Sequence, residues 1–318
     1  MTTRPVPVIA IHGGAGSRGP GEFDPNIETA YRDALAEVLR AGRQLLADGG
    51  NALDAVSLAV DLLEDCPLFN AGHGAVFTRD GTHELDAAVM DGATLRAGAV
   101  ACVSRIRRPL RAARAVMEHS KHVLLVGAGA EAFAEAFGLE LVEPEYFSTE
   151  LRREQLRRAQ APALLVPGQG AAVSPLDDEL KHGTVGAVAL DARGHLAAAT
   201  STGGVTNKLP GRVGDLPLIG AGTYANRVAA ISCTGTGEYF IRYAVAHDVC
   251  ARIAYGGLTL QAATEHVVME VLPAIGGAGG LIAVDAYGNV SLPFNTEGMY
   301  RGYMRADDPA PWTACLAD

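Results

Sequence analysis

The sequence predicts an α/β protein built as a four-layer α-β-β-α sandwich. Apolar strands occur near the N-terminus, in the middle and near the C-terminus, and the helices between them come in consecutive pairs. The chain has 318 residues, 48% of them hydrophobic, so it can bury a substantial core. These observations favour sheets in the centre with helices on both outer faces.

The N-terminal elements are a strand and two helices. Alternating apolar residues predict a strand over 6–11, and the glycine-rich segment 12–16 is expected to form a turn after it. Helical spacing of apolar residues predicts a helix over 28–46. Asn51 is expected to cap a second helix over 52–63, whose apolar character on nearly every side indicates burial between layers.

The C-terminal half contains two similar hairpins, 185–200 and 281–292, and both are predicted to supply central strands. Helical spacing between them predicts helices over 238–255 and 259–271, the second ending before Pro273. The two helices form one of the consecutive pairs that the sandwich requires.

Proline, glycine and an acidic cluster at 177–179 predict a flexible linker over about 159–183. A precursor that is cleaved before residue 184 would need a flexible, exposed stretch at that point. Linkers are common, however, and this one alone carries no function.

Composition excludes several classes of partner. The net charge of -10 without a basic run argues against nucleic acid, and no run of about 18 apolar residues predicts a membrane span. The N-terminus has no signal-peptide pattern, so we expect a cytoplasmic protein. The five cysteines are odd in number and scattered, which is typical of reduced thiols.

Thr184 is the first candidate catalytic residue. It follows Gly183 and begins a strand of small apolar residues deep inside the chain. A threonine hydroxyl needs a base, and the residue's own α-amino group can be that base. Cleavage between Gly183 and Thr184 would free this amine.

Two later clusters are also candidates. The loop 200–215 is rich in hydroxyls and glycines and contains Arg212 and Asp215, which form either a local salt bridge or a clamp for the two charges of an amino-acid head group. The turn 232–238 leads into a helix, where Thr234 or Thr236 serves either as a helix cap or as part of an oxyanion site.

An alternative of another class rests on the segment 123–132, a strand followed by a glycine-containing turn. Such a turn serves either helix packing or the binding of a nucleotide or metabolite, and no lysine follows it to complete a P-loop. The histidines show no helical pair or ligand-triad spacing, which argues against catalytic zinc.

Taken together and in this order, the motifs at 183–188, 200–204, 211–215 and 233–237 resemble those of the plant-type asparaginases, or isoaspartyl peptidases. The resemblance extends over nearly the whole chain through further motifs at 12–16, 66–72, 84–87 and 292–299. It implies an N-terminal-nucleophile hydrolase with the sandwich fold. It also implies a precursor that cuts itself into an α subunit of residues 1–183 and a β subunit of residues 184–318, which together form one structural domain and assemble as a dimer of such units.

The resemblance also implies roles for individual residues. Thr184 is the nucleophile, Thr202 orients it, Thr234 and Gly235 form the oxyanion hole, and Arg212, Asp215 and Gly237 bind the aspartyl head group together with Thr234 and Gly235. The implied substrates are β-aspartyl dipeptides and L-asparagine, with no catalytic cofactor. A structural sodium ion is implied at the main-chain carbonyls of Leu63, Glu64, Cys66, Phe69, Ala71 and His73. A glycosylasparaginase-like hydrolase is the alternative within the fold.

Overall fold

The computed structural model describes residues 5–16, 25–161 and 183–316. The elements before Thr184 are β1 (Val8–Ala15), α1 (Pro25–Ala47), α2 (Ala52–Glu64), β2 (Leu85–Asp91), β3 (Ala97–Val103), α3 (Pro109–His119), β4 (Leu124–Val126), α4 (Gly127–Ala136), a 3-10 turn (Pro144–Phe147) and α5 (Glu150–Gln160).

The elements after Thr184 complete both sheets. They are β5 (Val185–Leu190), β6 (Leu196–Thr202), β7 (Thr223–Ala225), β8 (Ala229–Gly235), α6 (Gly237–Tyr243), α7 (Val245–Ala254), α8 (Leu260–Glu265), a π-helical turn (His266–Val271), α9 (Leu272–Ala274), β9 (Gly279–Asp285), β10 (Val290–Ser291), β11 (Gly298–Arg305) and β12 (Trp312–Leu316).

The strands form two sheets. The larger has the order β12-β11-β1-β5-β6-β2-β3-β4 and the smaller β10-β9-β8-β7, and among these described strands only β3 and β4 pair in parallel. Strand β1, which precedes Thr184 in the chain, lies between β5 and β11, which follow it. One sheet therefore contains strands from before and after Thr184. A break in the chain before Thr184 would leave the two parts joined by these pairings.

Side-chain alternation along the strands creates the layers. In β5, Val185, Ala187 and Ala189 face the helical layer and pack against α2, whereas Val188 and Leu190 face the second sheet. In β8, Ile231 and Cys233 pack against α7 and α8, and Ala230 faces the large sheet. The predicted α-β-β-α sandwich is therefore confirmed.

The helices over 28–46 and 52–63 are confirmed as α1 and α2, and Asn51 caps α2 because its Oδ1 accepts a hydrogen bond from Asp54 N at 2.7 Å. The predicted turn at 12–16 was wrong in part, since β1 continues to Ala15. Pairing of Gly14 and Ala15 with β11, across a bulge between His12 and Gly14, holds this glycine segment extended.

The predicted single helix over 238–255 is two helices. Ala244 takes a left-handed conformation with φ 48°, and the first free N–H groups of α7 bond to loop carbonyls at Gly220 and Ala221. Contacts with a loop distant in sequence thus stabilise a break that helical spacing does not show.

The helix predicted over 259–271 begins at Leu260 but continues through the π-helical turn and α9 to Ala274, past Pro273. Proline lacks an N–H, and a wider turn accommodates the missing bond. Both predicted hairpins form, although β10 is an edge strand of two residues rather than a central one.

The predicted linker 159–183 largely lies outside the described residues, and its first two residues belong to α5. No helix in the described ranges is long and apolar enough to cross a membrane.

Candidate active site

Thr184 lies immediately before β5, in the middle of the large sheet. Because β5 and β6 are antiparallel and Val185 pairs with Ser201, Thr184 lies beside Thr202 at the end of β6. The Thr184 hydroxyl donates a hydrogen bond to Thr202 Oγ1 at 3.2 Å. The structure therefore brings together the two threonines singled out in the sequence.

The carbonyl oxygen of Gly183 receives two donors. Asn70 Nδ2 donates to it at 2.6 Å and Thr202 Oγ1 at 2.8 Å. Both side chains therefore donate to the carbonyl group of the residue that precedes Thr184. The bond between Gly183 and Thr184 thus lies where an attack by Thr184 on this carbonyl would develop a stabilised negative charge.

Asn70 is buried, with 2% exposure, and every polar group of its side chain is used. Nδ2 also donates to Gly204 O at 2.7 Å, and Oδ1 accepts from Val76 N at 2.9 Å. A Cβ on Gly183 would lie 2.4 Å from Asn70 Cβ, so only glycine fits in front of the nucleophile. Asn70 has no role predicted from the sequence, and its place in the motif 66–72 is the only signal there.

The Thr202 hydroxyl has a fixed orientation. It accepts from Gly204 N at 2.9 Å and from Thr184, and it donates to Gly183. A hydroxyl has one proton and two acceptor positions, so these three bonds use its capacity fully. Thr202 therefore links the nucleophile to the carbonyl that the nucleophile would attack.

Thr234 and Gly235 end β8 in the second sheet. Side chains alternate along β8, so Thr234 points to the same side as Ser232, which contacts the large sheet. Thr234 Oγ1 accepts from Ala15 N at 3.2 Å, which leaves its proton for another acceptor. A Cβ on Gly235 would lie 2.4 Å from Ala278 O, so glycine is required for this close backbone approach.

A buried polar chain joins the two sheets below Thr184. His12 Nε2 lies 2.8 Å from Ser232 Oγ, Ser232 Oγ lies 2.9 Å from Thr200 Oγ1, and Thr223 Oγ1 donates to Thr200 Oγ1 at 2.8 Å. Burial lowers the pKa of His12 to about 3, against an opposing backbone contact with Thr184, so the ring is neutral near pH 7. His12 is a second residue to which the sequence analysis gave no role.

Arg212 and Asp215 lie in the loop between β6 and β7, next to the start of α6. Arg212 makes its ion pair with Glu238, with Nε to Oε1 at 3.0 Å and Nη2 to Oε2 at 3.1 Å. A Cβ on Gly237 would lie 2.8 Å from Asp215 Oδ1 and 3.1 Å from Arg212 Nη2. The structure therefore gathers Arg212, Asp215 and Gly237 around one point.

The carboxyl group of Asp215 is buried and has an oxygen available to a cationic ligand. Burial raises the pKa of its carboxyl to about 7; Arg212 opposes this shift, and Glu238 and Asp86 add to it. Its Oδ2 has no hydrogen-bond partner within the described part of the chain. A buried carboxylate oxygen without a partner is an acceptor that the ammonium of a ligand would satisfy.

In the loop after α2, two glycines lie close to main-chain carbonyl oxygens. A Cβ on Gly72 would lie 2.4 Å from Glu64 O, and a Cβ on Gly74 would lie 2.7 Å from Pro67 O and 2.8 Å from Phe69 O. Glu64 O already accepts from His73 N at 2.7 Å, but a carbonyl has two lone pairs. Carbonyl oxygens suit a hard cation, whereas the described residues hold no cluster of three or more His, Cys, Asp or Glu side chains for a metal.

The strand and helix expected over 123–132 form as β4 and α4, at the edge of the large sheet. A Cβ on Gly129 would contact nothing within 4 Å. The glycine at this position is therefore not required by packing within the described structure.

Comparisons with known proteins show which family the chain resembles. A family model described as asparaginase matches residues 5–312. The isoaspartyl peptidase of Escherichia coli strain K12 is 61% identical over 302 residues, which cover 95% of this chain and 94% of the relative. The putative isoaspartyl peptidase/L-asparaginase of Dictyostelium discoideum is 50% identical, with 95% and 94% covered.

The plant-type L-asparaginase of Pyrococcus furiosus is 44% identical, with 93% of this chain and 96% of the relative covered. The similarity thus reaches from a bacterium to an archaeon and spans almost the full length of each protein. The chain belongs to the asparaginase family.

Proposed function

We propose that the protein is a self-processing amidohydrolase that cleaves β-aspartyl dipeptides and L-asparagine. The observation that carries the proposal is the hydroxyl of Thr184 bonded to Thr202, which in turn donates to the carbonyl of Gly183. The names of the relatives support this function over a glycosylasparaginase-like hydrolase or a nucleotide-binding protein.

Self-cleavage begins with attack of Thr184 Oγ on the Gly183 carbonyl carbon. Thr202 accepts the proton of Thr184 and donates its own toward the carbonyl oxygen, while Asn70 donates a second hydrogen bond to that oxygen. The C–N bond then breaks as the carbonyl re-forms and the proton lost by Thr184 Oγ passes to the nitrogen, which leaves an ester on Oγ and a free α-amine. Water hydrolyses the ester, giving a carboxylate on Gly183 and the free hydroxyl of Thr184.

The free α-amine then serves as the base. Its unperturbed pKa of about 7.7–8.0 leaves a useful neutral fraction near pH 7. It takes the proton of Thr184 Oγ, which attacks the side-chain carbonyl of the substrate, and it passes this proton to the leaving nitrogen. Ammonia or the distal amino acid departs, and water, deprotonated by the same amine, releases L-aspartate from the ester.

In both steps of substrate hydrolysis, formation and breakdown of the ester, the oxyanion would be held by the Thr234 hydroxyl and the Gly235 N–H. The orientation of Thr234 toward the large sheet and its unused proton support this role. Arg212 would bind the α-carboxylate and Asp215 the α-ammonium of the aspartyl group. Two charge-assisted interactions of this kind account for selection of amino acids over simple amides.

The test of this function is cleavage of the purified protein. Wild type should give two chains, residues 1–183 and 184–318, and only the cleaved form should release amino acids from a β-aspartyl dipeptide. Thr184→Ala should remain a single chain without activity. Full activity of an uncleaved wild type, shown by gel electrophoresis and mass spectrometry, would refute the proposal.

We also propose a sodium ion in the loop after α2, held by the carbonyls of Leu63, Glu64, Cys66, Phe69, Ala71 and His73. The ion would stiffen the loop that carries Asn70. The close packing of this loop, with Glu64 O near Gly72 and Phe69 O near Gly74, supports the site. Replacing sodium chloride by choline chloride at equal ionic strength should lower the Tm, and an unchanged Tm would count against the ion.

Two further properties are proposed from the same family likeness. One is assembly as a dimer of α/β units, which the mass in solution from light scattering would test. The other is a cytoplasmic location, which the five free cysteines support because thiols remain reduced there. Fractionation of cells that produce the protein would test it.

A further inference from the structure

The guanidinium of Arg212 is held in place by a residue that the proposed chemistry does not use. Glu238 is the second residue of α6, and its carboxylate accepts two hydrogen bonds from Arg212. Arg212 Nε donates to Oε1 at 3.0 Å and Arg212 Nη2 to Oε2 at 3.1 Å. The Arg212 side chain is 17% exposed and that of Glu238 is 59% exposed. An exposed surface ion pair contributes little stability. The main effect of this pair is therefore on the position of the Arg212 side chain.

Among the residues that the structure describes, the pair with Glu238 leaves one binding edge of Arg212 without a hydrogen-bond partner. A guanidinium is planar and presents five N–H groups in a fixed fork, so it has one bidentate edge at Nε and Nη2 and another at Nη1 and Nη2. Glu238 occupies the first edge. The second remains for a carboxylate of the ligand.

Two glycines, Gly214 and Gly237, border the guanidinium of Arg212. A Cβ on Gly214 would lie 3.0 Å from Nη1, and one on Gly237 would lie 3.1 Å from Nη2 and 2.8 Å from Asp215 Oδ1. A side chain at Gly214 would crowd the guanidinium, and one at Gly237 would fill the space between the guanidinium and the Asp215 carboxylate. That space is bounded by one cation and one anion, as an amino-acid head group requires.

We propose that Glu238 is a positioning residue that fixes Arg212 for the α-carboxylate of the β-aspartyl substrate. A free arginine side chain loses rotamer entropy when it binds a ligand, and an arginine ordered beforehand loses less. Because Glu238 is largely exposed, solvent screens its repulsion of the incoming carboxylate. This inference rests on the proposed function, since it names the ligand of the same site.

The experiment compares cleaved wild type with Glu238→Ala and Glu238→Gln, using initial rates on a β-aspartyl dipeptide. Glu238→Ala should raise KM roughly tenfold, equivalent to about 1.4 kcal/mol, and leave kcat within about threefold. Glu238→Gln keeps an acceptor for one of the two bonds and should give an intermediate KM. The matched control is Glu154→Ala, which removes an exposed glutamate paired with Arg157 and Arg158 on α5, and it should match wild type.

The proposal is overturned if Glu238→Ala leaves KM unchanged or lowers it, or if it lowers kcat and Tm together with no change in KM. Calorimetry with L-aspartate separates this outcome from failure of the proposed function. If wild type binds L-aspartate but hydrolyses nothing, the proposed function fails, and a tenfold weaker Kd in Glu238→Ala still supports the positioning role. If wild type does not bind L-aspartate, the positioning role fails as well.

Discussion

Replacement of Asn70 by alanine tests whether this side chain assists self-cleavage. Asn70 Nδ2 is one of two donors to the Gly183 carbonyl, at 2.6 Å, and Thr202 is the other, at 2.8 Å. Removing one preorganised donor to a developing oxyanion costs about 2.7–4 kcal/mol in the barrier. Asn70→Ala should therefore slow self-cleavage about 10²–10³-fold.

The same change also destabilises the fold, and this effect needs a control. Asn70→Ala leaves Gly204 O and Val76 N without their partner, at about 1–3 kcal/mol for each buried group. Asn295 has a matching pattern elsewhere, since Nδ2 donates to Val268 O and Gly277 O and Oδ1 accepts from Gly279 N. Asn295→Ala should lower stability to a similar degree without slowing cleavage comparably.

The assay follows freshly made precursor on denaturing gels and fits the loss of the full-length chain to one rate constant. Urea unfolding of each variant in a Thr184→Ala background reports the stability change separately. If Asn70→Ala cleaves within about threefold of wild type, or if Asn295→Ala slows cleavage equally, Asn70 does not stabilise the transition state.

Four further predictions concern other parts of the molecule. Because an ammonium needs the charged form of Asp215, whose pKa is about 7, the Kd for L-aspartate should weaken tenfold per pH unit below about pH 6, and calorimetry showing a flat profile would contradict this. The same raised pKa means that the folded state binds more protons than the unfolded state between about pH 4 and 7. Stability should therefore fall by up to about 4 kcal/mol as pH rises through that range, and urea unfolding of Asp215→Asn should lack this fall. Gly186→Ala places a Cβ 2.0 Å from Ser232 Oγ and should cost about 1–3 kcal/mol in urea unfolding, whereas the unobstructed Gly129→Ala in α4 should gain about 0.5–1 kcal/mol. Thr234→Ala should lower kcat about 10²–10³-fold with little change in KM, and an equal rise in KM measured in steady-state kinetics would argue for a role in binding instead.

Much of the fold could be predicted from local pattern. The periodicity of α1 and α2 and the two hairpins identified elements whose buried faces repeat every few residues. The break at Ala244 and the π-helical turn before Pro273 could not be found this way, because contacts from distant segments compensate for them. The extension of β1 through its glycines depends on pairing with β11, which lies at the other end of the chain.

The sequence by itself determined the candidate nucleophile and the charges of the head-group site. Thr184 follows a glycine at the start of a small-residue strand, and Arg212 and Asp215 stand close together in one loop, so short stretches of chain carry this information. Which side chains contact these residues depends on how the two sheets and the loops pack. Asn70 reaches Gly183 across 113 positions, His12 reaches Ser232 across 220, and Glu238 rather than Asp215 pairs with Arg212. Local propensity is set by neighbours in sequence, whereas a hydrogen bond between distant residues exists only after the two sheets have packed and brought them within about 3 Å.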